Sequence, residues 1–333
     1  MDEITVDVLI TFYNQEKYVD RAMQSVFSQK GNFRLNVLIG DDGSTDGTPK
    51  LLEQWKRSYP KQIRIFKMAR SNSFIPGGFR AARNRLNLLS YSSSDYFIFL
   101  DGDDFFDDIQ KIQKQINILE QKNNQDCVAC GHAIDAVYKD GRRISFAPII
   151  IVKEKYTLRD YWLDTYMHTD TILFRKEAKS AVPKTLVEDV FNDNGITFIL
   201  LHKGKIYYIP EVMAVYSQTE QGIWTGEKKA VSLIREILFY DFIMSYDATL
   251  IFETRVRYYH VWKELFNLRR EMNPLTMNAY LKEAKRNNLR FTQLWINYDT
   301  CGFFNKISLI KEYILAFLCR CVFKLNYLGR ASK

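Results

Sequence analysis

Asp101-Gly102-Asp103-Asp104 sets three carboxylates around one glycine, and these residue types at this spacing suit a cation. Crowded carboxylates repel one another. A hard divalent ion with oxygen ligands relieves them, and Mg²⁺ or Mn²⁺ takes one or two carboxylates and completes its shell with substrate phosphates. The local reading is a metal–diphosphate site, set against a plain acidic turn. A calcium loop of the EF-hand type would continue Asp-x-Asp-x-Asp-Gly, but Phe105 and Phe106 stand at the next ligand and glycine positions, so that version fails.

The element that must deliver these acids is the run Tyr96-Phe97-Ile98-Phe99-Leu100, which reads as a strand buried on both faces. Ligands of open α/β sheets bind just beyond the carboxyl ends of the strands, so the acids fall on the binding edge. Earlier in the chain Val6 to Thr11 is a strand, and Lys17 to Gln29 a helix with Val19, Ala22, Met23, Val26 and Phe27 on one face. Asn36 to Gly40 is a second strand and again ends in carboxylates, Asp41-Asp42-Gly43. Thr48 or Asp46 can cap the next helix, with Pro49 in its first turn, and Ile63 to Phe66 is a third strand. The alternation is βαβαβ, with right-handed crossovers and a parallel sheet.

Neither a Gly-x-Gly-x-x-Gly after the first strand nor a Gly-x-x-x-x-Gly-Lys-Ser/Thr is present. A dinucleotide fold is therefore disfavoured, and phosphate charge must be met by metal and side chains. Gly77-Gly78-Phe79-Arg80-Ala81-Ala82-Arg83-Asn84 offers a helix start and arginines to an anion, with Arg80 itself read as a solvated helix residue. At 333 residues, 47% hydrophobic and 26% charged, the chain suits two domains or one large domain with additions. A net charge of +8 is modest at this length and gives no motive for nucleic acid. The five cysteines form no regular framework and the first residues no secretory signal, which sets the expectation of a reducing cytoplasm. Cys127, Cys130 and His132 lack a second pair to close a metal knuckle and read as strand residues.

Residues 4 to 107 resemble the nucleotide-sugar half of the family 2 glycosyltransferases. The matching blocks are Val8 to Asn14, Ser25 to Gln29, Ile39 to Thr48, Gly77-Gly78 with Ala82-Arg83-Asn84, and Phe99 to Asp104. The resemblance implies the GT-A fold, an α/β Rossmann-like mostly parallel sheet with helices on both faces, here with a helical C-terminal extension. It further implies that Thr11, Tyr13 and Asp42 hold the nucleotide base, that Asp101 and Asp103 join ribose, diphosphate and a Mn²⁺ or Mg²⁺ ion, and that Arg83 touches the donor. The expected organisation is residues 1–104 for the donor, 105–226 for the acceptor and catalytic base, and 227–333 as the extension.

In the second half, Asp107 to Lys122 reads as an amphipathic helix and Lys139-Asp140-Gly141 as a hairpin turn. Sugar transfer from a nucleoside diphosphate needs a cation on the leaving diphosphate and a base for the acceptor hydroxyl. In the family the second acid of a pair at a helix start is that base. Counting back from Gly204, Asn192-Asp193 falls on the pair, so Asp193 is the base, with Asn192 a departure and Asp189 the rival by composition. Acids at a helix entrance are otherwise caps. The family often carries an arginine and a metal-reaching histidine where Ser217 and Thr219 stand; water or His168 then completes the ion's shell. Trp224 is read either as a cover over the donor or as core.

Phe303 to Leu328 carries Ile307, Ile310, Ile314, Phe317, Leu318, Cys321 and Leu325 on one stripe, with Lys306, Arg320, Lys324, Arg330 and Lys333 around it. It is too interrupted to span a bilayer and reads either as a peripheral membrane helix or as a docking helix. The function expected is inverting transfer of a sugar from a nucleotide-diphosphate donor to a glycan or lipid-linked acceptor in bacterial surface-polysaccharide synthesis, at the cytoplasmic face of the membrane. The alternative is a nucleotide-sugar-binding module that has lost turnover.

Overall fold

The computed structural model describes residues 3–68, 70, 77–146, 153–164, 167–182, 193–219, 229–268 and 303–328, with 278, 281, 282 and 285 besides. The chain divides into two units, residues 1–72 with 77–225, and residues 73–76 with 226–333.

The first unit is built on one sheet. Strands β1 (Thr5–Phe12), β2 (Arg34–Asp41), β3 (Ile63–Lys67) and β4 (Tyr96–Asp101) are parallel, in the order β3-β2-β1-β4. Helices α1 (Val19–Phe27), α2 (Thr48–Ser58) and α3 (Gly77–Tyr91) make the crossovers. Beyond β4 the sheet continues through antiparallel β9 (Leu173–Arg175), then β6 (Cys127–Val137) and β10 (Lys205–Ser217), which are parallel to each other, and ends on the two-residue β5 (Phe105–Phe106). β7 (Arg143–Phe146) pairs with β6 through the hairpin read at Gly141, whose φ of 81° a glycine adopts without strain; β8 (Lys155–Tyr156) pairs with β10. The stretches expected to carry donor and acceptor therefore share one sheet.

The middle strands bury both faces: Val6, Val8, Leu9 and Ile10 of β1 and Phe97 to Leu100 of β4 are fully covered. Each such side chain stabilises the fold by about 1.5–3 kcal/mol. α1 buries Val19, Ala22, Met23 and Val26, and its Phe27 stacks on Tyr59 with centroids 3.9 Å apart. Asp46, just before α2, accepts the Thr48 N–H at 3.0 Å, so of the two capping candidates the aspartate bonds the helix start.

One expected helix is shorter than its periodicity. Helix α4 runs Lys111–Leu119, not from Asp107, because Phe105 and Phe106 pair with β10 and the N–H groups of Asp107 and Asp108 bond to Met213 O. Ile109, inside the stretch read as an amphipathic helix, is 47% exposed. Two short helices complete the unit, α5 (Leu158–Asp164) and α6 (Asp193–Leu200), and α6 packs against α3 and the turn at Thr169–Thr171.

The second unit contains α7 (Lys229–Tyr246), α8 (Ile251–Leu268) and α9 (Phe303–Leu328), with α8 packed against both of the others. Arg255 of α8 grips Glu312 of α9 with two hydrogen bonds of 2.6 and 3.0 Å. That contact turns α9 so that Leu309 and Ala316 are buried, while Ile307, Ile310, Ile314, Phe317, Leu318 and Val322 stand 44–51% exposed. Of the stripe read from the sequence, Ile307, Ile310, Ile314, Phe317 and Leu318 are exposed, Phe317 with its ring 5.6 Å from that of Tyr259 on α8, while Leu309, which lies off the stripe, is buried. No helix among the described residues is long and apolar enough to cross a membrane.

Candidate active site

β1, β2 and β4 end side by side, with Thr11 opposite both Gly40 and Asp101 in register, so each strand contributes its terminal polar residues to one edge of the sheet. After β1 the chain turns through Asn14, whose φ of 50° lies in the left-handed region that asparagine tolerates. Asn14 Oδ1 accepts the Thr45 N–H at 2.8 Å, and the Asn14 N–H donates to Ser44 at 2.9 Å, locking this loop to the one after β2. After β4 the Gly102 N–H donates to Thr11 O at 2.9 Å. A side chain at Gly102 would meet the Phe12 ring at 2.2 Å, so the acidic turn can approach β1 only with glycine there.

Of the residues expected at the site, Thr11, Tyr13, Asp42, Asp101 and Asp103 lie on or just after these strand ends. Thr11 donates its hydroxyl hydrogen to Asp101 at 3.2 Å. Asp42 is gripped by Arg80, Nε and Nη2 reaching its two carboxylate oxygens at 2.9 and 3.0 Å, and Arg70 adds a contact of 3.1 Å. The Arg70 guanidinium also lies 3.4 Å from the centre of the Tyr13 ring, which is 41% exposed. A flat, electron-rich ring beside a planar cation and a carboxylate suits a nucleobase, which offers a stacking face and polar edges.

The arginines of α3 divide. Arg83 lies exposed, on the side of α3 turned away from the sheet. Its helical neighbours Arg80 and Arg85 point inward, so Arg80 is not the solvated residue it was read as, and buried Arg85 pairs with Asp101. The signal available in the sequence was the need itself: two strand-end carboxylates require counter-charges, and α3 holds three arginines within one and a half turns.

Asp103 and Asp104 differ from the two acids just described. Among the described residues Asp103 makes no ion pair; Thr219 donates to its Oδ2 at 3.1 Å, and burial together with Asp101 pushes its carboxyl up to about 6. Arg21 donates to Asp103 O at 2.7 Å and to Ser217 Oγ at 2.9 Å, holding the turn by its backbone. Asp104 is fully buried and accepts the Ser217 N–H at 2.7 Å. Its other oxygen faces Asp170, also fully buried, and burial and Asp170 hold the Asp104 carboxyl well above the ordinary range. Asp170 was not singled out in the sequence, where it sits inside an unremarkable His-Thr-Asp-Thr. Ser217 and Thr219, standing where the family often has an arginine and a histidine, thus bond the acidic turn.

Asp193 is the first residue of α6, and its side chain, like Asn192, Asp189 and Trp224, lies outside the described residues. Cys127, Cys130 and His132 lie buried in β6; both cysteines are free, and His132 Nδ1 lies 2.6 Å from Ala133 O.

A half-buried carboxylate without a cationic partner, beside a second carboxylate already neutralised by arginine, fits one divalent ion at Asp103, with Asp101 and bound phosphate oxygens as further ligands.

Comparison with known proteins supplies a family and a shared fold. An uncharacterized protein of Mycobacterium bovis is 26% identical over 218 residues, 64% of this chain and 58% of its own length, so the chain spans under two thirds of that relative. A dTDP-rhamnosyl transferase of Shigella flexneri is 27% identical over 227 residues, 67% of this chain and 70% of that protein. The fold is shared with residues 1–349 of TarS from S. aureus, solved with UDP, at a TM-score of 0.58 and 14% identity, covering 97% of this chain and 92% of that one. The family model "Glycosyl transferase family 2" matches residues 7–181, and with more than half of the chain so matched, the protein belongs to glycosyl transferase family 2.

Proposed function

We propose that the chain transfers a sugar, with inversion, from a nucleoside diphosphate donor to a hydroxyl group of a glycan or lipid-linked acceptor in surface-polysaccharide synthesis. The observation that carries this reading is the convergence of Thr11, Tyr13, Asp42, Asp101 and Asp103 on one sheet edge, with Arg70, Arg80 and Arg85 already set against the acids. Tyr13 and Arg70 offer the base a stacking face, and Asp42 accepts from its polar edge. Asp101, held by Thr11 and Arg85, faces the ribose. Asp103 with Asp101 holds Mn²⁺ or Mg²⁺, which supplies charge stabilisation to the departing diphosphate. Arg83, exposed on α3, reaches the donor from the solvent side.

Asp193 takes the proton of the acceptor hydroxyl as that oxygen attacks the anomeric carbon, whose bond to the diphosphate oxygen breaks on the opposite face. Support comes from its place at the start of α6, a helix packed against α3, which carries Arg80 and Arg85, and against the turn that carries Asp170. The competing reading, a binding module without turnover, leans on Ser217 and Thr219. Their bonds to Asp104 and Asp103 favour an intact site. The test is release of nucleoside diphosphate from a panel of donor sugars with Mn²⁺ and hydroxyl acceptors. Donor binding without release across the panel would favour the module.

The outward face of α9 adds a place of work. Its exposed isoleucines, Phe317 and Leu318 are accompanied by exposed Lys311, and residues 303–333 contain six basic residues against one acid, Glu312, which is buried on Arg255. An apolar face with basic surroundings suits an anionic lipid surface, at the inner face of the cell membrane. Flotation with anionic vesicles should be strong for the natural chain and lost when Ile310 and Ile314 are both replaced by glutamate. A self-association removed by the same pair of changes, without flotation, would assign the face to a second copy instead.

A further inference from the structure

Asp104, His168 and Asp170 each present one ligand atom, and the three atoms lie within 4.8 Å of one another. Both acids are fully buried, and they come from separate parts of the chain, Asp104 from the turn after β4 and Asp170 from the turn before β9. Among the described residues, none donates a hydrogen bond to either oxygen of Asp170 or to Oδ2 of Asp104. His168 Nδ1 stands 3.7 Å from Asp170 Oδ2 and accepts the Asp170 N–H at a long 3.4 Å, a bond an incoming cation would displace, and its side chain is 11% exposed. The nearby buried cations are committed elsewhere: the Lys111 amino group donates to Gln115 Oε1 at 2.9 Å and lies 4.4 Å from the centre of the Phe106 ring, and Arg85 pairs with Asp101. Two buried carboxylates facing each other without a donor cost several kcal/mol unless a positive charge stands between them.

We propose that Asp104, His168 and Asp170 bind a divalent cation of their own, independently of nucleotide, next to the Asp101–Asp103 pair. The ligand set selects the ion. Two carboxylates and an imidazole suit Mn²⁺, Fe²⁺, Co²⁺ or Zn²⁺, whereas Mg²⁺ keeps several waters that a buried site excludes, and Ca²⁺ takes oxygen ligands only. Asp104 Oδ1 is held by the Ser217 N–H, so an ion on Oδ2 ties three segments together: the acidic turn, the 168–171 turn and the end of β10. The role is positioning. The ion fixes the backbone on which Asp103 stands and leaves Asp103 itself to the donor.

The test needs no donor or acceptor, so its outcome is separate from that of the transferase reading. The full chain, stripped with a chelator, is titrated without nucleotide using Mn²⁺ followed by the resonance of the free ion, and Co²⁺ followed by visible absorption. The expected result is one tightly held ion per chain, weakened at least tenfold by Asp170→Asn and by His168→Gln, with the Co²⁺ spectrum altered in the histidine variant and the stoichiometry kept in Asp103→Asn. His168 lies at the rim, so its variant keeps the test decisive if Asp170→Asn fails to fold. Three results would overturn the proposal: no ion bound without nucleotide, unchanged affinity in both variants, or loss of the ion in Asp103→Asn. An Asp170→Asn chain that is more heat-stable than the natural one with or without metal would show that the two acids share a proton instead.

Discussion

The two ends of the sheet use the same residue type in opposite ways. Near the start of β1, Asp7 is 3% exposed and accepts five hydrogen bonds, from Ser92 Oγ, Ser93 N, both Ser94 N and Oγ, and Asn36 Nδ2, at 2.5–3.1 Å. Burial alone would raise its carboxyl, but the bonds from Ser94, Asn36 and Ser92 outweigh it and hold the group below the ordinary range. At the other end of the sheet, among the described residues, Asp103 has one hydroxyl donor and the facing oxygens of Asp104 and Asp170 have none. A carboxylate surrounded by donors is a structural joint between loop and strand. One left short of donors is kept for a ligand that brings positive charge. The number of donors tells the two apart; residue type does not.

That contrast can be broken by moving from the ligand end to the structural end. The largest effect belongs to Asp103→Asn, which should lower nucleotide-sugar turnover with Mn²⁺ by about 10³-fold while thermal unfolding of the ion-free chain stays unchanged or rises. Asp193→Asn should lower kcat by roughly 10²–10³-fold with donor affinity retained; equal loss of donor affinity would remove it from the role of base. At the structural end the pattern should invert. Asp7→Asn sets an amide NH₂ against serine and backbone donors, destabilising the fold by about 2 kcal/mol, read as a lowered Tm, with the kcat of the folded fraction kept. Because the folded pKa of Asp7 is depressed, its stabilisation is present above the unfolded value of about 3.9 and is lost as pH falls through the folded one. The Tm gap between natural and Asp7→Asn chains should therefore close on acidification below about pH 4. The smallest effect sharpens the comparison within the binding edge: Arg80→Ala frees Asp42 and should weaken nucleoside diphosphate binding about tenfold in calorimetry.

Much of the first unit was legible because buried parallel strands write themselves as apolar runs. Val6 to Thr11 and Tyr96 to Leu100 became β1 and β4 within a residue or two, and the acids closing β2 and β4 came to one edge because β2 and β4 both run parallel to β1. What the sequence left open shares one cause, the choice of which side of a helix meets its neighbour. On α3, Arg83 and Arg85 differ by two positions, about 200° around the axis, and only packing on the sheet turns the second toward Asp101 and the first to solvent. On α9 the apolar stripe left membrane contact and docking both open, and the two hydrogen bonds from Arg255 to Glu312 accompany the burial of Leu309 and Ala316, which lie off it.

The sequence by itself thus determined the order of strands and helices, the apolar runs that make the core, and the clustering of acids after β2 and β4, since all of these are local patterns of period and composition. The tertiary structure decided which acids are paired, which are satisfied and which face each other. The partners of Asp42, Asp101 and Asp104 lie 38, 16 and 113 residues away. Charge balance at a site depends on distance in space, and nothing in the local chain records that distance.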